Sequence, residues 1–259
     1  MIVFTATPES GAVWITGASE GIGKAVAEQM AADGFTVYAS ARSEDKLKKI
    51  AEDFSGSGKI LPIPLDVTDR AACKACIETI IQESGKLAVV ILNAGTFAPI
   101  RGKDLKFEDF ELTLDVNVYG VLNGLIPAVE AMKDAGQGQV AIVSSVAGYG
   151  GLPKNAGYGI SKAGLINMAE SLKFDFDKMN IKLQIITPGF IDTPLTKKND
   201  FPMPFLMDVD AAAERVVSGL KTNAFEITFP RRFTYMLKFL NLWCYPVYFW
   251  LVKRGTGSG

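Results

Sequence analysis

The chain has 259 residues, enough for one large α/β domain or two small ones, and its net charge of −1 gives no overall field that would attract nucleic acid. It contains no histidine, which excludes a Ser-His-Asp triad, a Cys-His dyad and any histidine-ligated metal site. The three cysteines favour a reducing, cytoplasmic compartment without a disulfide framework, and because no basic residue precedes Lys24 we expect no signal peptide.

Apolar runs typical of strands alternate with helical patterns along the chain. The predicted strands are 12–16, 36–40, 59–65, 87–92, 139–144, 182–186 and 225–228, and the predicted helices are 23–33, 44–54, 70–84, 107–134, 156–179 and 211–220. This alternation predicts an α/β, Rossmann-like, doubly wound parallel sheet of about seven strands in the order 3-2-1-4-5-6-7, with helices on both faces. We expect no helix that spans a membrane. Residues 1–228 are predicted as one Rossmann-fold domain and 229–259 as an aromatic-rich C-terminal tail, which belongs to the same domain or extends it.

Two prolines in the third predicted strand test this strand order. Pro62 and Pro64 lie two residues apart, so both missing N–H donors face the same side of the strand. The predicted order puts this strand at the edge of the sheet, where one side is open and proline is tolerated. The alternative is that Pro62 starts a shorter strand.

A glycine-rich segment, TGASEGIG at residues 16–23, follows the first predicted strand and opens the first helix. Glycines permit a tight turn and close backbone approach, while the helix N-terminus offers N–H groups to a pyrophosphate. The segment predicts a dinucleotide site with contacts from Gly17, Ser19, Glu20, Gly21, Ile22 and Gly23. Because its spacing is G-x-x-x-G-x-G rather than G-x-G-x-x-G, a glycine-rich turn without a nucleotide remains the alternative.

The end of the second predicted strand favours NADP(H) over NAD(H). An NAD site usually has a carboxylate there, but Ala41 occupies the position and Arg42 follows, whose guanidinium suits a 2′-phosphate. The alternative is that Arg42 is a solvated residue that opens the next helix. Further adenosine contacts are predicted at the ends of the third and fourth strands, from Asp66 and Val67 and from Asn93, Ala94 and Gly95.

Tyr158 and Lys162 lie four residues apart on a predicted helix, so both project from one face. A nearby ammonium and the positive nicotinamide of an oxidised cofactor both favour the phenolate of a tyrosine. Tyr158 can then be the general acid in carbonyl reduction and the general base in alcohol oxidation. Lys162 can also reach the nicotinamide ribose, and Ser145, after the fifth strand, can hydrogen-bond the substrate oxygen. The Y-x-x-x-K string is frequent by chance and alone usually lies on an ordinary helix surface. It indicates a catalytic pair here because it occurs together with Ser145 and the glycine turn.

Together these motifs resemble the short-chain dehydrogenase/reductase family, in its compact single-domain form. The matching residues run from 12 to about 193 in the family's order: the glycine segment, Asp66, Asn93-Ala94-Gly95, Asn117, Ser145, Tyr158, Lys162 and Pro188-Gly189. The resemblance implies a catalytic tetrad of Asn117, Ser145, Tyr158 and Lys162, in which Asn117 supports a water that relays protons to Lys162. It also implies that Pro188 and Gly189 belong to the cofactor site, that Ile191 and Thr193 hold the nicotinamide carboxamide, and that Ser144 is structural. Glu20 departs from the pattern, because many NADP-dependent relatives carry a basic residue there.

The predicted substrate pocket lies between Tyr158, residues 146–155 and the segment after Thr193. Its residues are small or apolar, and they are Gly148, Gly150, Gly151, Leu152, Phe190, Leu195, Phe205 and Leu206. We therefore expect an apolar, lipid-like carbonyl compound or alcohol as the substrate.

The tail is the unusual part of the sequence. It holds nine aromatic residues between 229 and 254, with basic residues at Arg231, Arg232, Lys238, Lys253 and Arg254. A narrow polar stripe at helical spacing is formed by Thr234, Lys238, Asn241, Tyr245 and Tyr248. Three interpretations stay open: a subunit interface of a homodimer or homotetramer or a pocket cover, a peripheral helix at the cytoplasmic face of a membrane, or an ordinary core helix.

The leading functional hypothesis is an NADP(H)-dependent oxidoreductase that transfers a hydride between the nicotinamide and an apolar carbonyl compound or secondary alcohol. Within enzymes, the alternatives are an NAD-dependent alcohol dehydrogenase of the same family and an epimerase or dehydratase that shares Y-x-x-x-K. Outside enzymes, the alternative is a non-catalytic NADP-binding regulatory protein. We expect no metal site.

Overall fold

The chain folds around a central parallel sheet, and the computed structural model describes residues 4–198 and 203–256. The strands are β1 (Ala12–Thr16), β2 (Thr36–Ala41), β3 (Lys59–Pro64), β4 (Leu87–Leu92), β5 (Gly138–Val143), β6 (Ile181–Pro188) and β7 (Glu226–Phe229). The helices are α1 (Gly21–Ala32), α2 (Glu44–Asp53), α3 (Arg70–Ser84), α4 (Phe107–Leu114), α5 (Gly120–Ala135), α6 (Ala156–Lys178), α7 (Val209–Leu220), α8 (Arg231–Leu240) and α9 (Tyr245–Thr256). The strand order is β3-β2-β1-β4-β5-β6-β7, which confirms the predicted α/β fold and its topology.

Helices cover both faces of this sheet and enclose two apolar layers. Residues of α1, α2 and α7 pack on one face, and residues of α3, α5 and α6 pack on the other. Along β1 the side chains alternate, with Val13 and Ile15 in the first layer and Ala12 and Trp14 in the second. Because both faces are buried, the inner strands are apolar in continuous runs, which is the pattern that predicted them.

The two prolines lie where the predicted strand order requires them. In the register of β2 with β3, Ala39 pairs with Pro62 and Ala41 with Pro64. Since β3 ends the sheet order, the side that lacks N–H donors is the open edge, and β3 begins at Lys59 rather than at Pro62.

The predicted helical stretch over 107–134 is confirmed as a run from Phe107 to Ala135, but it contains a single π-helical turn that was not predicted. This turn spans Asp115–Tyr119, between the end of α4 and the start of α5. Asn117 lies in the middle of the turn and is fully buried. A π turn changes the helical register by one residue and is often found at functional sites. Such a small shift leaves the apolar pattern almost unchanged, so the sequence did not reveal it.

Among the described residues, one helical run, Phe107–Ala135, is long and apolar enough to cross a membrane by length and composition. Of its most apolar window, 44% is buried, and α5 packs against β4, β5 and α3. Packing inside the fold therefore accounts for the buried part of this run, while Phe107, Leu112 and Ile126 are exposed.

Candidate active site

The glycine turn after β1 is fastened to the end of β4. Thr16 Oγ1 accepts hydrogen bonds from the main-chain N–H groups of Asn93 at 3.0 Å and Ala94 at 3.1 Å. In return, Asn93 Nδ2 donates to the carbonyl oxygens of Thr16 and Gly17, both at 3.0 Å. Gly17 has φ +67°, and a Cβ added to it would lie 2.7 Å from Ala94 Cα. Only glycine therefore lets the turn approach β4 this closely.

Two glycines at the start of α1 also stand where a side chain would collide with neighbouring atoms. A Cβ on Gly23 would lie 2.3 Å from the carbonyl oxygen of Gly17, and one on Gly21 would lie 3.2 Å from Thr193 Cγ2. Glu20 precedes the helix and makes no side-chain capping hydrogen bond. The first N–H groups of α1 are thus left for a ligand, and with the helix dipole they suit an anion such as a pyrophosphate. Ser19 and Ile22 are half-buried in the same turn.

Charged side chains surround the end of β2, where the sequence predicts the cofactor's 2′-phosphate. Arg42 is exposed. The backbone N–H and hydroxyl of Thr68 hold the pKa of Asp66 below its usual range, and the charge of Arg42 adds to this effect. Glu20 is the residue that departs from the family pattern. It forms an ion pair with Lys46, in which its Oε2 lies 2.6 Å from the Lys46 Nζ. Its carboxylate is therefore neutralised by a neighbouring cation rather than left as an unpaired negative charge.

Ser145, Tyr158 and Lys162 come together where β5 ends and α6 begins. Lys162 is buried and its Nζ donates to the carbonyl oxygen of Val143 at 2.8 Å. The same Nζ lies 5.5 Å from the centre of the Tyr158 ring. Ser145 caps a short helical turn through the N–H of Ala147, and its side chain also hydrogen-bonds with Tyr158. The two hydroxyl groups and the ammonium thus form one cluster.

The direction of the Tyr158 pKa differs from the sequence-based expectation. Burial raises the pKa of Tyr158, and the hydrogen bond with Ser145 offsets only part of this rise. The ammonium of Lys162 lies against the tyrosine ring while it donates to the main chain, and burial lowers the pKa of Lys162 to about 8. In this cluster desolvation outweighs the stabilisation of a phenolate by the nearby cation, so the neutral phenol is favoured.

Asn117 joins the loop after β4 to helix α6. Its Oδ1 accepts from the N–H of Thr96 at 2.7 Å, and its Nδ2 donates to the carbonyl oxygen of Thr96 and to Ser161 Oγ, both at 3.0 Å. Ser161 Oγ in turn donates to the carbonyl oxygen of Tyr158 at 2.8 Å. The side chain of Asn117 therefore has a bracing role, and the proton relay through water stays a prediction.

Gly95 lies beside this brace. A Cβ added to it would lie 3.4 Å from Asn117 Oδ1 and 3.6 Å from Lys162 Nζ. The small residues after β4 thus leave room next to the cluster of Ser145, Tyr158 and Lys162. Val67, another predicted cofactor contact, is buried, and it packs so closely on α5 that a Cβ on Gly120 would lie 2.7 Å from its Cγ2.

The segment after β6 brings the last predicted contacts to the site. Pro188 ends β6, and Gly189 allows close packing against Phe233, to which an added Cβ would come within 2.9 Å. Ile191 is buried and forms an isolated β-bridge with Met207. Thr193 faces Gly21 at the start of α1, so this segment lies over the glycine turn.

Two residues of the site were not assigned by the sequence. Thr16 holds the glycine turn and Ser161 links Asn117 to α6. Thr16 is the first residue of the glycine segment and Ser161 directly precedes Lys162, so the motifs themselves were the available signal. Ser144 donates to the carbonyl oxygen of Lys162 at 2.8 Å, a structural contact.

A cavity of about 490 Å³ opens beside Ser145 and Tyr158. Of the predicted pocket residues, Leu152, Phe190 and Leu195 line it, whereas Gly148, Gly150, Gly151, Phe205 and Leu206 do not. Gly148 packs under the main chain of Lys162 and Gly150 under Asn241, so these glycines serve close packing instead. Much of the wall comes from the tail, in line with the interpretation of the tail as a pocket cover, through Phe233, Met236, Leu237, Leu240, Leu251, Val252, Gly255 and Thr256.

Comparisons with known proteins agree with this geometry. A family model described as short chain dehydrogenase matches residues 11–202. An uncharacterized oxidoreductase of Myxococcus xanthus is 35% identical over 83% of this chain and 86% of that protein. The 3-oxoacyl-[acyl-carrier-protein] reductase FabG of Thermotoga maritima is 37% identical over 71% of this chain and 75% of that protein. The crystal structure of an alcohol dehydrogenase from Thermococcus sibiricus, complexed with 5-hydroxy-NADP, superimposes with a TM-score of 0.77 at 26% identity, covering 84% of this chain and 95% of that one.

Because Gly17 lies so close to Ala94, we expect its replacement to lower the stability of the protein by more than backbone strain alone would. Gly136 also has a positive φ, of +74°, but nothing lies within 4 Å of a Cβ added to it. We expect Gly136→Ala to lower the free energy of unfolding by about 1–2 kcal/mol, and Gly17→Ala by about 2–5 kcal/mol because it adds a collision with the main chain. Urea denaturation of the two variants measures both values. Equal losses would show that the end of β4 moves aside and does not constrain the turn.

Proposed function

Since the chain belongs to the short-chain dehydrogenase/reductase family of nicotinamide-dependent oxidoreductases, we propose that it uses NADP(H) to interconvert an apolar, lipid-like carbonyl compound and the corresponding alcohol. The observation that carries the proposal is the cavity, in which two hydroxyl groups suited to proton transfer lie at the edge of a largely apolar wall.

The glycine turn and its surroundings fit a nicotinamide dinucleotide. The cleared N-terminus of α1 would hold the pyrophosphate, and Thr193 lies across from it. Asp66 and the residues after β4 would hold the adenosine half, and Lys162 the nicotinamide ribose. When bound, the cofactor supplies the hydride in reduction and accepts it in oxidation.

Arg42 is the residue proposed to select NADP(H). It is an exposed cation directly after Ala41, which occupies the position where a ribose-binding carboxylate would favour NAD(H). The ion pair between Glu20 and Lys46 supports the proposal, because Lys46 offsets the negative charge of Glu20 that would otherwise repel a bound 2′-phosphate. The Thermococcus sibiricus structure with an NADP derivative is consistent with it.

The chain's own residues can move the proton. With its raised pKa, Tyr158 keeps its hydroxyl proton at neutral pH and can donate it to the carbonyl oxygen of a substrate. Ser145, which already hydrogen-bonds with Tyr158, can bind the same oxygen and orient it. Asn117 braces the main chain of Tyr158 through Ser161, and Lys162, which is held by the carbonyl oxygen of Val143, lies against the ring of Tyr158.

The cavity wall supports an apolar substrate. Aromatic and aliphatic side chains such as Phe97, Phe190, Phe233 and Leu240 form most of it, and its one charged residue among those described is Lys154. A volume of about 490 Å³ lies within the usual range for small-molecule sites, roughly 300–1,000 Å³. The Thermotoga maritima relative is named for a 3-oxoacyl substrate, which carries a ketone, and this favours the carbonyl as the reacting group.

Tyr158→Phe should remove nearly all turnover and leave NADPH binding close to normal. The change deletes the hydroxyl proton alone, and general acid catalysis typically contributes about 10²–10⁴-fold. NADPH oxidation with a panel of long-chain ketones, steroids, quinones and small aldehydes gives the rates, and fluorescence titration gives the affinity. Tyr119→Phe is the matched control, because Tyr119 is exposed and should tolerate the loss. A Tyr158→Phe variant with more than roughly a tenth of the wild-type rate would remove Tyr158 from the acid role.

Arg42→Ala should weaken NADPH binding by roughly 10–100-fold and leave NADH binding nearly unchanged, because a charged hydrogen bond to the 2′-phosphate is lost. Calorimetric titration with both cofactors measures this difference. The control is Lys48→Ala, which removes a cation that is paired with Glu44 on α2. Equal losses for the two cofactors, or a wild type that prefers NADH, would show that Arg42 does not select the cofactor.

The two directions of the reaction should respond differently to pH. Carbonyl reduction needs the protonated phenol, which the raised pKa of Tyr158 maintains through pH 8, so its rate should stay flat there. Alcohol oxidation needs the phenolate, whose fraction increases with pH below that pKa, so its rate should rise between pH 7 and 9. Initial rates in both directions test this. A reduction rate that falls near pH 8 would instead assign the proton to Lys162, whose pKa is about 8.

A further inference from the structure

Helices α8 and α9 bind the rest of the protein through polar side chains. Lys238 forms an ion pair with Glu226, and its Nζ lies 5.0 Å from the centre of the Tyr149 ring. Asn241 Nδ2 donates to the carbonyl oxygen of Tyr149 at 2.5 Å, and the Tyr248 hydroxyl donates to that of Gly151 at 2.8 Å. The polar stripe predicted from the sequence therefore faces the protein body, apart from Tyr245, which is 76% exposed.

Another side of the two helices is apolar and exposed. We call it the aromatic face, and it consists of Tyr235, Phe239, Leu242, Trp243, Tyr245, Phe249 and Trp250. Each of these side chains is about half exposed or more, with Leu242 at 80%. The rings also pack on one another, as Phe239 does on Trp243 and Tyr245 on Phe249. A helix that only covered a cavity would turn its polar side to water, so an exposed apolar side of this extent indicates an apolar partner outside.

Cations border the aromatic face. Arg231 and Arg232 are exposed at the start of α8, and Lys253 and Arg254 are exposed near the end of α9. Arg254 lies 5.7 Å from the centre of the Trp250 ring. The sequence from 229 to 259 contains no aspartate or glutamate. In this segment, all charged side chains on and around the aromatic face are therefore positive.

We propose that α8 and α9 dock the protein on an anionic lipid surface, with the aromatic face in the interfacial region and the four bordering cations against the headgroups. Tryptophan and tyrosine favour membrane–water interfaces, and basic residues that flank an apolar helix face attract anionic lipids. A second copy of the chain fits less well, because a twofold interface through this face would bring positive borders together without acidic partners.

The aromatic face and part of the cavity wall lie on the same two helices. Phe233, Leu237 and Leu240 line the cavity from α8, while Phe239 on the same helix points outward. Met236 does both, since it lines the cavity and is 45% exposed. The cavity wall therefore extends to the proposed lipid surface, which is where an apolar substrate would be concentrated.

Vesicle binding tests the proposal with three variants of the full chain. Wild type should co-sediment with vesicles of phosphatidylcholine and phosphatidylserine and bind pure phosphatidylcholine vesicles at least tenfold more weakly. The triple variant Phe239→Ser, Trp243→Ser, Trp250→Ser should lose most of this binding. The double variant Arg231→Glu, Arg232→Glu should bind the anionic vesicles roughly 30-fold more weakly or worse, since each cation contributes to the attraction. Phe174→Ser is the matched control, because Phe174 is 74% exposed on α6, outside the tail.

The native cysteines allow a second measurement. Cys244 is exposed between Trp243 and Tyr245, whereas Cys73 and Cys76 are buried, so a thiol-reactive, environment-sensitive dye should label Cys244 selectively. Its emission should shift to the blue when anionic vesicles are added. The same dye on Ser171→Cys in a Cys244→Ser background should not shift, because Ser171 lies on the exposed side of α6.

Each other outcome would overturn the proposal. Absence of sedimentation with either vesicle and of a dye shift would exclude a lipid surface. A dimer by light scattering that the triple variant converts to a monomer, with no vesicle binding, would identify a second copy as the occupant. Equal binding to neutral and anionic vesicles would remove the role of the cations. The triple variant does not change a cavity residue, so loss of vesicle binding with intact reduction of a small soluble ketone would separate docking from the proposed catalysis.

Discussion

The close approach of the glycine turn to the end of β4 is the constraint on which the rest of the site depends. Gly17 and Ala94 meet where the sheet order reverses between β1 and β4, and Thr16 and Asn93 fasten the contact with four hydrogen bonds. In doubly wound sheets, ligands bind in the crevice at this switch point. The contact sets the start of α1 on one side of the crevice and the loop that leads to Asn117 on the other.

From this side of the crevice a chain of hydrogen bonds runs to the cluster of Ser145, Tyr158 and Lys162. It passes from Thr96 to Asn117, then to Ser161 and to the carbonyl oxygen of Tyr158. Side chains in such a fully satisfied network have little freedom to move. The burial that fixes them also keeps Tyr158 protonated and brings the pKa of Lys162 to about 8, so position and proton affinity have one cause.

Much of this arrangement could be predicted from the sequence because it depends on local patterns. Continuous apolar runs identified the strands, and Pro62 and Pro64 identified the edge. The glycine turn and the Tyr158–Lys162 spacing predicted where the site lies. Three features could not be predicted in this way. The π turn at Asn117 is a one-residue shift, the pKa of Tyr158 depends on the depth of burial, and the choice among the interpretations of the tail, with the identity of the wall residues from α8 and α9, depends on packing between distant segments. The polar stripe of the tail was visible, but only the structure reveals that it faces inward.

The division of the cavity between two parts of the chain has a consequence for how such proteins diversify. The hydroxyl groups, the ammonium and the glycine turn all come from residues before 194, whereas eight wall residues come from the last two helices. Exchange, extension or replacement of the terminal helices can therefore change which molecules fit the cavity while these hydroxyl groups, the ammonium and the glycine turn stay the same. Chains with the same motifs but different ends should be grouped by their C-terminal helices when substrates are assigned, since overall similarity reports mainly the part that they share.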